Sequence, residues 1–425
     1  MKNFKTKPLV AAIFCVVALA AYGYSFFGSN IKQLDDSRLG IQYLRQLITD
    51  DNKTSRTIMW ESKAKQHYKL EYRSGSFDSS KTVAAEDVSF KTGDTEYLQY
   101  KTVLKGLKPG TTYEYRIVTA DAKGAWHKLT TDDGKGFTAL IFSDAQSADY
   151  SGWHRMAKLA YNKHPESKLY LNLGDQVDCD HSYQWEMFFK GIEPFGGELP
   201  AAMLVGNHEC YNDRWEEIFP KTYLNLFHLP GNGYKKYQNQ FYSFDYGDVH
   251  FTVLDTGGGW ELDPWEPYLN YDQRVWLEKD LAAAKARWKV VLMHRDIFIY
   301  QFSKESGYDT SGGTYFIEPC RSFMRVFDKY SVDVVLTGHL HTYRRRVPLK
   351  YFQPNPKGTL YIMTGISGDE ADYGKLWADF EWDAKRSPEK PENGNYMTMK
   401  VDDNSLTLKA YLKNGKEFDT VTLKK

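Results

Sequence analysis

Hydrophobic and polar positions change rhythm along this 425-residue chain, and the changes divide it. Between about 41 and 131, short runs alternate apolar and polar side chains, as at 57–60, 68–72 and 113–117, with turn residues between them. Period-two alternation at regular spacing predicts an all-β sandwich. After the turn-rich stretch 131–136 the apolar runs become continuous, at 137–143, 168–173, 201–205, 249–254, 289–293 and 332–336. Such runs predict strands buried on both faces, joined by longer segments. One connecting segment carries Trp276, Leu277, Leu281 and Ala284 on a single helical face. Runs at 359–363, 396–401 and 405–412 predict closing strands. The expected architecture is an all-β domain over 31–133 followed by a layered α/β domain over 134–425. Trp153 and Trp185 are expected in the core.

Ahead of both lies an export signal. Lys2, Lys5 and Lys7 precede an uncharged apolar run over 8–27. Residues 1–30 therefore read as a signal peptide, with a small-x-small site at Ala18-Leu19-Ala20, or as a membrane anchor of spanning length. Either places the remainder outside the cytoplasm, with membrane contact only through this segment. Lys+Arg and Asp+Glu balance at 55 each, so the basic surface of a nucleic-acid binder is not expected. Cysteines number four. Cys179 and Cys210 follow two of the motifs described next, and are buried free thiols or a disulfide.

Five strand-like runs end on metal-ligand side chains: Ser143-Asp144-Ala145-Gln146, Gly174-Asp175-Gln176-Val177-Asp178, Gly206-Asn207-His208-Glu209, Met293-His294-Arg295-Asp296 and Gly338-His339-Leu340-His341. A lone Gly-Asp is a turn and a lone histidine usually a packed one. Five such ends in series predict convergence beyond the carboxyl edge of a sheet. Carboxylates, amides and imidazoles together suit Mn, Fe, Zn or Mg.

In this order the five motifs resemble the signature of the calcineurin-like metallophosphoesterases. With the N-terminal sandwich and the run Gly338 to Arg345, the chain is similar to the purple acid phosphatase branch. The sandwich itself resembles a fibronectin type III-like domain, with Tyr113 placed to bond across a corner. The resemblance implies a four-layer metallophosphoesterase sandwich (α/β, or α+β) behind that domain, holding two metal ions. Asp175 would bridge them. Asp144 and His341 would bind the first, and Asn207, His294 and His339 the second. Gln146 would complete the first site, or Asp178 would, standing where the purple enzymes keep tyrosine. No tyrosinate-to-iron colour is then expected.

The implied activity is hydrolysis of phosphate monoesters, of the acid phosphatase type, by a metal-activated hydroxide with His208 as proton donor. Asn207, His208 and Arg345 would contact substrate, unless Arg345 makes a structural salt bridge instead. A phosphodiesterase or nucleotide pyrophosphatase on the same metals is the first alternative, and a degenerate binding or adhesion protein the second. Stretches 257–271, with Trp260, Trp265 and Tyr268, and 300–315, with Lys304 helping His208, are candidate substrate walls or plain surface.

Overall fold

The computed structural model describes residues 32–75, 78–257, 268–298, 320–368, 380–388 and 394–425. Four layers make up the larger part. A ten-stranded sheet and a seven-stranded sheet face each other, and helices cover their outer faces. Helices Ser151–Lys163 and Ser182–Ile192 lie on the first sheet. Leu269–Ala283 and Cys320–Tyr330 lie on the second.

Period two decides which side chain faces which layer. Along the second sheet Val249, Phe251, Val253, Val290, Leu292, Val334 and Leu336 point at the facing sheet. Val291 and Val335 point the other way, against Trp276, Leu277, Phe323 and Phe327 of the helices. Burial on both faces explains why these strands read as unbroken apolar runs.

Four strands of the first sheet are parallel neighbours: Phe137–Phe142, Ser167–Asn172, Pro200–Met203 and Ile41–Leu47. The last belongs to the N-terminal region. It pairs with Pro200–Met203 through Gln46↔Pro200 and Leu47↔Ala201, and continues into Arg56–Ser62 and Gln99–Leu104. The N-terminal sandwich therefore lends one of its sheets to the larger layer. Its other sheet is six-stranded and closes over Trp60, Leu70, Tyr115, Ile117 and Leu129. The expected tyrosine corner is present: Tyr113 Oη accepts the Lys108 N–H at 2.9 Å.

Two helices over the first sheet and one edge strand are among the elements the sequence pattern did not reveal. Trp153, Met156, Ala157 and Ala160 occupy i, i+3, i+4 and i+7 of one helix, and Trp185, Phe188, Phe189 and Ile192 form the buried face of another. The strand Glu417–Lys424 closes the edge of the ten-stranded sheet, where solvent on one side dilutes the apolar pattern. No helix among the described residues is long and apolar enough to cross a membrane, and the N-terminal stretch read as a signal or anchor lies outside them.

Candidate metal centre

All five motif loops leave the carboxyl ends of parallel strands, three from the ten-stranded sheet and two from the seven-stranded sheet. Asp144 follows Phe137–Phe142, Asp175 follows Ser167–Asn172, and Asn207 follows Pro200–Met203. His294 follows Trp288–Leu292, and His339 and His341 follow Val334–Thr337. Asp144, Asp175, His339 and His341 all take left-handed φ values, between 51° and 81°. That conformation costs an L residue energy, and four such residues at one place indicate a cluster imposed by its surroundings.

Asp175 is the centre. Its carboxylate forms one ligand-grade group with His294 and His339 and a second with Asp144 and His341, all donor atoms lying within 4.8 Å in each. The expected division into two sites sharing Asp175 thus has a geometric counterpart. Asp175 Oδ2 lies 3.0 Å from His294 Nε2, whose other neighbour is Asn207 Oδ1 at 3.1 Å. His294 Nδ1 donates to the Leu173 carbonyl at 2.7 Å, which fixes the ring with Nε2 facing inward. Gln146 reaches the same place, its amide nitrogen 2.9 Å from His341 Nε2 and 3.4 Å from Asp175 Oδ2.

The backbone approaches closely enough that side chains would collide. A Cβ on Gly206 would stand 2.1 Å from Asp175 Oδ1, and one on Gly174 would stand 2.6 Å from His294 Nδ1. These glycines make room for the ligand side chains themselves.

Charge in the cluster is unbalanced without a cation. Burial and the nearby Asp175 charge push the Asp144 carboxyl up to about 7, against the pull of His294. Burial also works against the Asp175 anion, but His294 and His208 outweigh it and hold that carboxyl below the ordinary range. His294 is fully buried, yet Asp175 raises it to about 9. Burial and Arg295 push His339 well below its usual value, and burial takes His341 down to about 3. Metals require neutral imidazoles and anionic carboxylates. His339, His341 and Asp175 already favour those states, whereas His294 and Asp144 would give up a proton to a bound cation. Asp144 Oδ2, Gln146 Oε1 and His339 Nδ1 are buried without a hydrogen-bond partner. A pair of divalent or trivalent ions fits this donor set and these orphaned atoms.

His208 stands beside this group. Its backbone N–H donates to Asp175 Oδ1 at 2.9 Å, and its Nδ1 donates to the Asp178 carbonyl at 2.7 Å. Nε2 is left facing Asp175 Oδ2 at 4.0 Å. Burial opposes its charge, but Asp175 and Asp178 raise the imidazole above its ordinary value. The Asp178 carboxylate lies 3.6 Å from His208 Nδ1 and is 39% exposed, so it serves the histidine, whereas Gln146 faces the ligand cluster.

The Arg345 guanidinium grips Asp419 at 2.7 and 3.1 Å, in a pair shared with Tyr343 Oη, which is the salt-bridge alternative of the two expected. Arg295 borders the cluster instead, with Nη1 3.0 Å from His339 Nε2. Glu209, quoted in its motif without a role, collects four backbone N–H groups. It accepts from Asp175 and Gly206 on one oxygen and from Gln176 and Val177 on the other, at 2.6–3.2 Å. A buried acid one place after a turn histidine was the available signal. Cys179 and Cys210 are buried and form no disulfide, and Cys210 Sγ donates to the Gly206 carbonyl at 3.6 Å. Trp260, Trp265, Lys304 and the stretch 300–315 lie outside the described residues, and Tyr268 is exposed.

Comparison with known proteins agrees with this geometry. Residues 137–343 match the calcineurin-like phosphoesterase profile, and residues 42–131 match the purple acid phosphatase N-terminal domain. The chain carries a calcineurin-like phosphoesterase domain behind a purple acid phosphatase N-terminal domain. It is 28% identical to purple acid phosphatase 21 of Arabidopsis thaliana over 276 residues, which is 62% of this chain and 56% of that one. It is 26% identical to probable inactive purple acid phosphatase 1 of the same plant, over 62% of this chain and 48% of the relative. The chain thus spans about half the length of these relatives. The solved purple acid phosphatase PPD1 from yellow lupin seeds shares the fold, with a TM-score of 0.73 at 20% identity, over 91% of this chain and 74% of that one.

Proposed function

We propose that this chain hydrolyses phosphate monoesters at a two-metal site outside the cytoplasm. The observation that carries the reading is Asp175, shared between the Asp144–His341 group and the His294–His339 group. Asp144, Gln146 and His341 would hold one ion with Asp175, and Asn207, His294 and His339 the other. When bound, two such ions neutralise phosphoryl oxygens and make water nucleophilic at neutral pH.

The chain's own residues supply the rest. His208, oriented by the Asp178 carbonyl and favoured in its charged form by two carboxylates, gives its Nε2 proton to the departing oxygen. Arg295 adds positive charge at the His339 side of the pocket. Arg346 anchors the loop that carries both His294 and Arg295, through its 3.1 Å bond to Asp296. The lysine-led apolar segment at the N-terminus supports export, by cleavage or by anchoring.

Elemental analysis of the purified protein, paired with hydrolysis of an aryl phosphate monoester, tests the reading. Asp175→Ala and His294→Ala should each lose bound metal and abolish turnover. Full activity in either variant overturns the two-metal assignment. Faster turnover of a bis-aryl diester than of the monoester would move the reading to a diesterase.

A further inference from the structure

Beside His208 the surface carries an indole with no packing explanation. Trp215 is 57% exposed, and its φ of 62° is left-handed. Exposure forgoes the burial that stabilises most tryptophans, and a bulky residue at this φ is strained. Single exposed apolar residues are ordinary; one held in a strained turn next to a catalytic pocket is less so.

The turn is closely tied. Trp215 N–H donates to the Asn212 carbonyl at 3.0 Å, while Asn212 Oδ1 accepts from Arg214 and Glu216 at 2.9 and 3.0 Å. Asn212 Nδ2 donates to Glu216 Oε2 at 2.8 Å, and Tyr211 bridges to Glu217. The Tyr211 carbonyl accepts the Asp180 N–H at 2.7 Å, which joins the turn to the segment that orients His208. Three rings then meet. Trp215 stands 5.7 Å from His208 at 84°, Tyr211 stands 6.2 Å from it at 78°, and the two are 5.9 Å apart.

We propose that Trp215, with Tyr211, is the leaving-group shelf of this site and selects phosphate esters whose leaving group carries a planar aromatic ring. The inference rests on the phosphoesterase reading. If His208 protonates the departing oxygen, the carbon skeleton on that oxygen lies alongside the His208 ring. Tyr211 and Trp215 are the rings that pack on it there, and the open part of the indole offers a stacking face.

Benzyl phosphate and cyclohexylmethyl phosphate test this, since both release primary alcohols of similar size and only one is aromatic. In Trp215→Ala the ratio of kcat/KM for the benzyl over the cyclohexylmethyl ester should fall about tenfold, chiefly through KM. Trp215→Phe should keep most of the preference. Calorimetric binding of the matching non-hydrolysable phosphonates should lose the same selectivity, with metal content and circular dichroism unchanged. An unchanged ratio, or equal loss on both esters carried by kcat, overturns the shelf and leaves Trp215 as a positioning residue for His208. A metal-loaded wild type that hydrolyses neither ester overturns the phosphoesterase reading itself.

Discussion

The carboxylate of Glu209 accepts the backbone N–H of Asp175 at 3.0 Å, so the loop that presents His208 also fixes the residue at the centre of the cluster. The same carboxylate accepts from Gly206, Gln176 and Val177, joining two motif turns through one buried group. Burial and the Asp175 charge raise its carboxyl to about 7.

Glu209→Ala leaves four buried donors without that acceptor. Hydrogen bonds to a charged group contribute about 1.5–3 kcal/mol each, and the losses are not additive. Denaturant unfolding should show about 3 kcal/mol less stability, with reduced metal content. A wild-type midpoint in this variant would mean that the turns hold without Glu209.

His208 should matter most when the leaving group is poor. Replacing it with Asn should slow an alkyl phosphate by roughly 10²–10³-fold and an activated aryl phosphate much less. Measured rates across leaving groups of graded basicity would then slope more steeply in the variant. Equal losses at every leaving group would remove His208 from the proton-donor role.

Arg345→Met should leave kcat for any ester nearly as in the wild type. It leaves the buried Asp419 carboxylate with the Tyr343 hydroxyl and the Thr420 N–H but no charged partner, and should lower stability by about 2 kcal/mol. A large fall in kcat without a fall in stability would restore Arg345 to the substrate.

His250 makes the fold sensitive to alkali. Burial opposes its charge, but bonds to Asp245 and Asp280 at 2.8 and 3.0 Å raise it to about 9. A raised value favours the charged folded form, so the contribution is complete below about 6.5 and is lost as pH rises through 9. Thermal melts of His250→Gln should fall below the wild type near pH 6 by the equivalent of about 2 kcal/mol and converge with it above pH 9. A gap that widens with pH would contradict the assignment.

Metal should stabilise the folded chain, because the unfolded chain lacks a preformed site. Adding Mn or Zn to chelated protein should raise Tm by several degrees, and Asp175→Ala should lose most of that gain. An equal rise in the variant would place the binding elsewhere.

Much of this protein follows from its sequence alone. Continuous apolar runs ending on Asp144, Asp175, Asn207, His294 and the His339–His341 pair determined that strands end on side chains of metal-ligand type. Side-chain alternation and hard donors depend only on local order. The N-terminal alternation likewise determined a sandwich, down to the Tyr113 corner. The pairing of Gln46 with Pro200, which makes two regular patterns one sheet, is a non-local choice that no local period records. Tertiary structure alone decided that Arg345 turns to Asp419 while Arg295 turns to His339, because each partner lies dozens of residues away in sequence and only packing brings it near. It also set where Gln146 and Asp178 point. Both have oxygen donors at plausible spacing, and only the fold turns one toward Asp175 and the other toward His208.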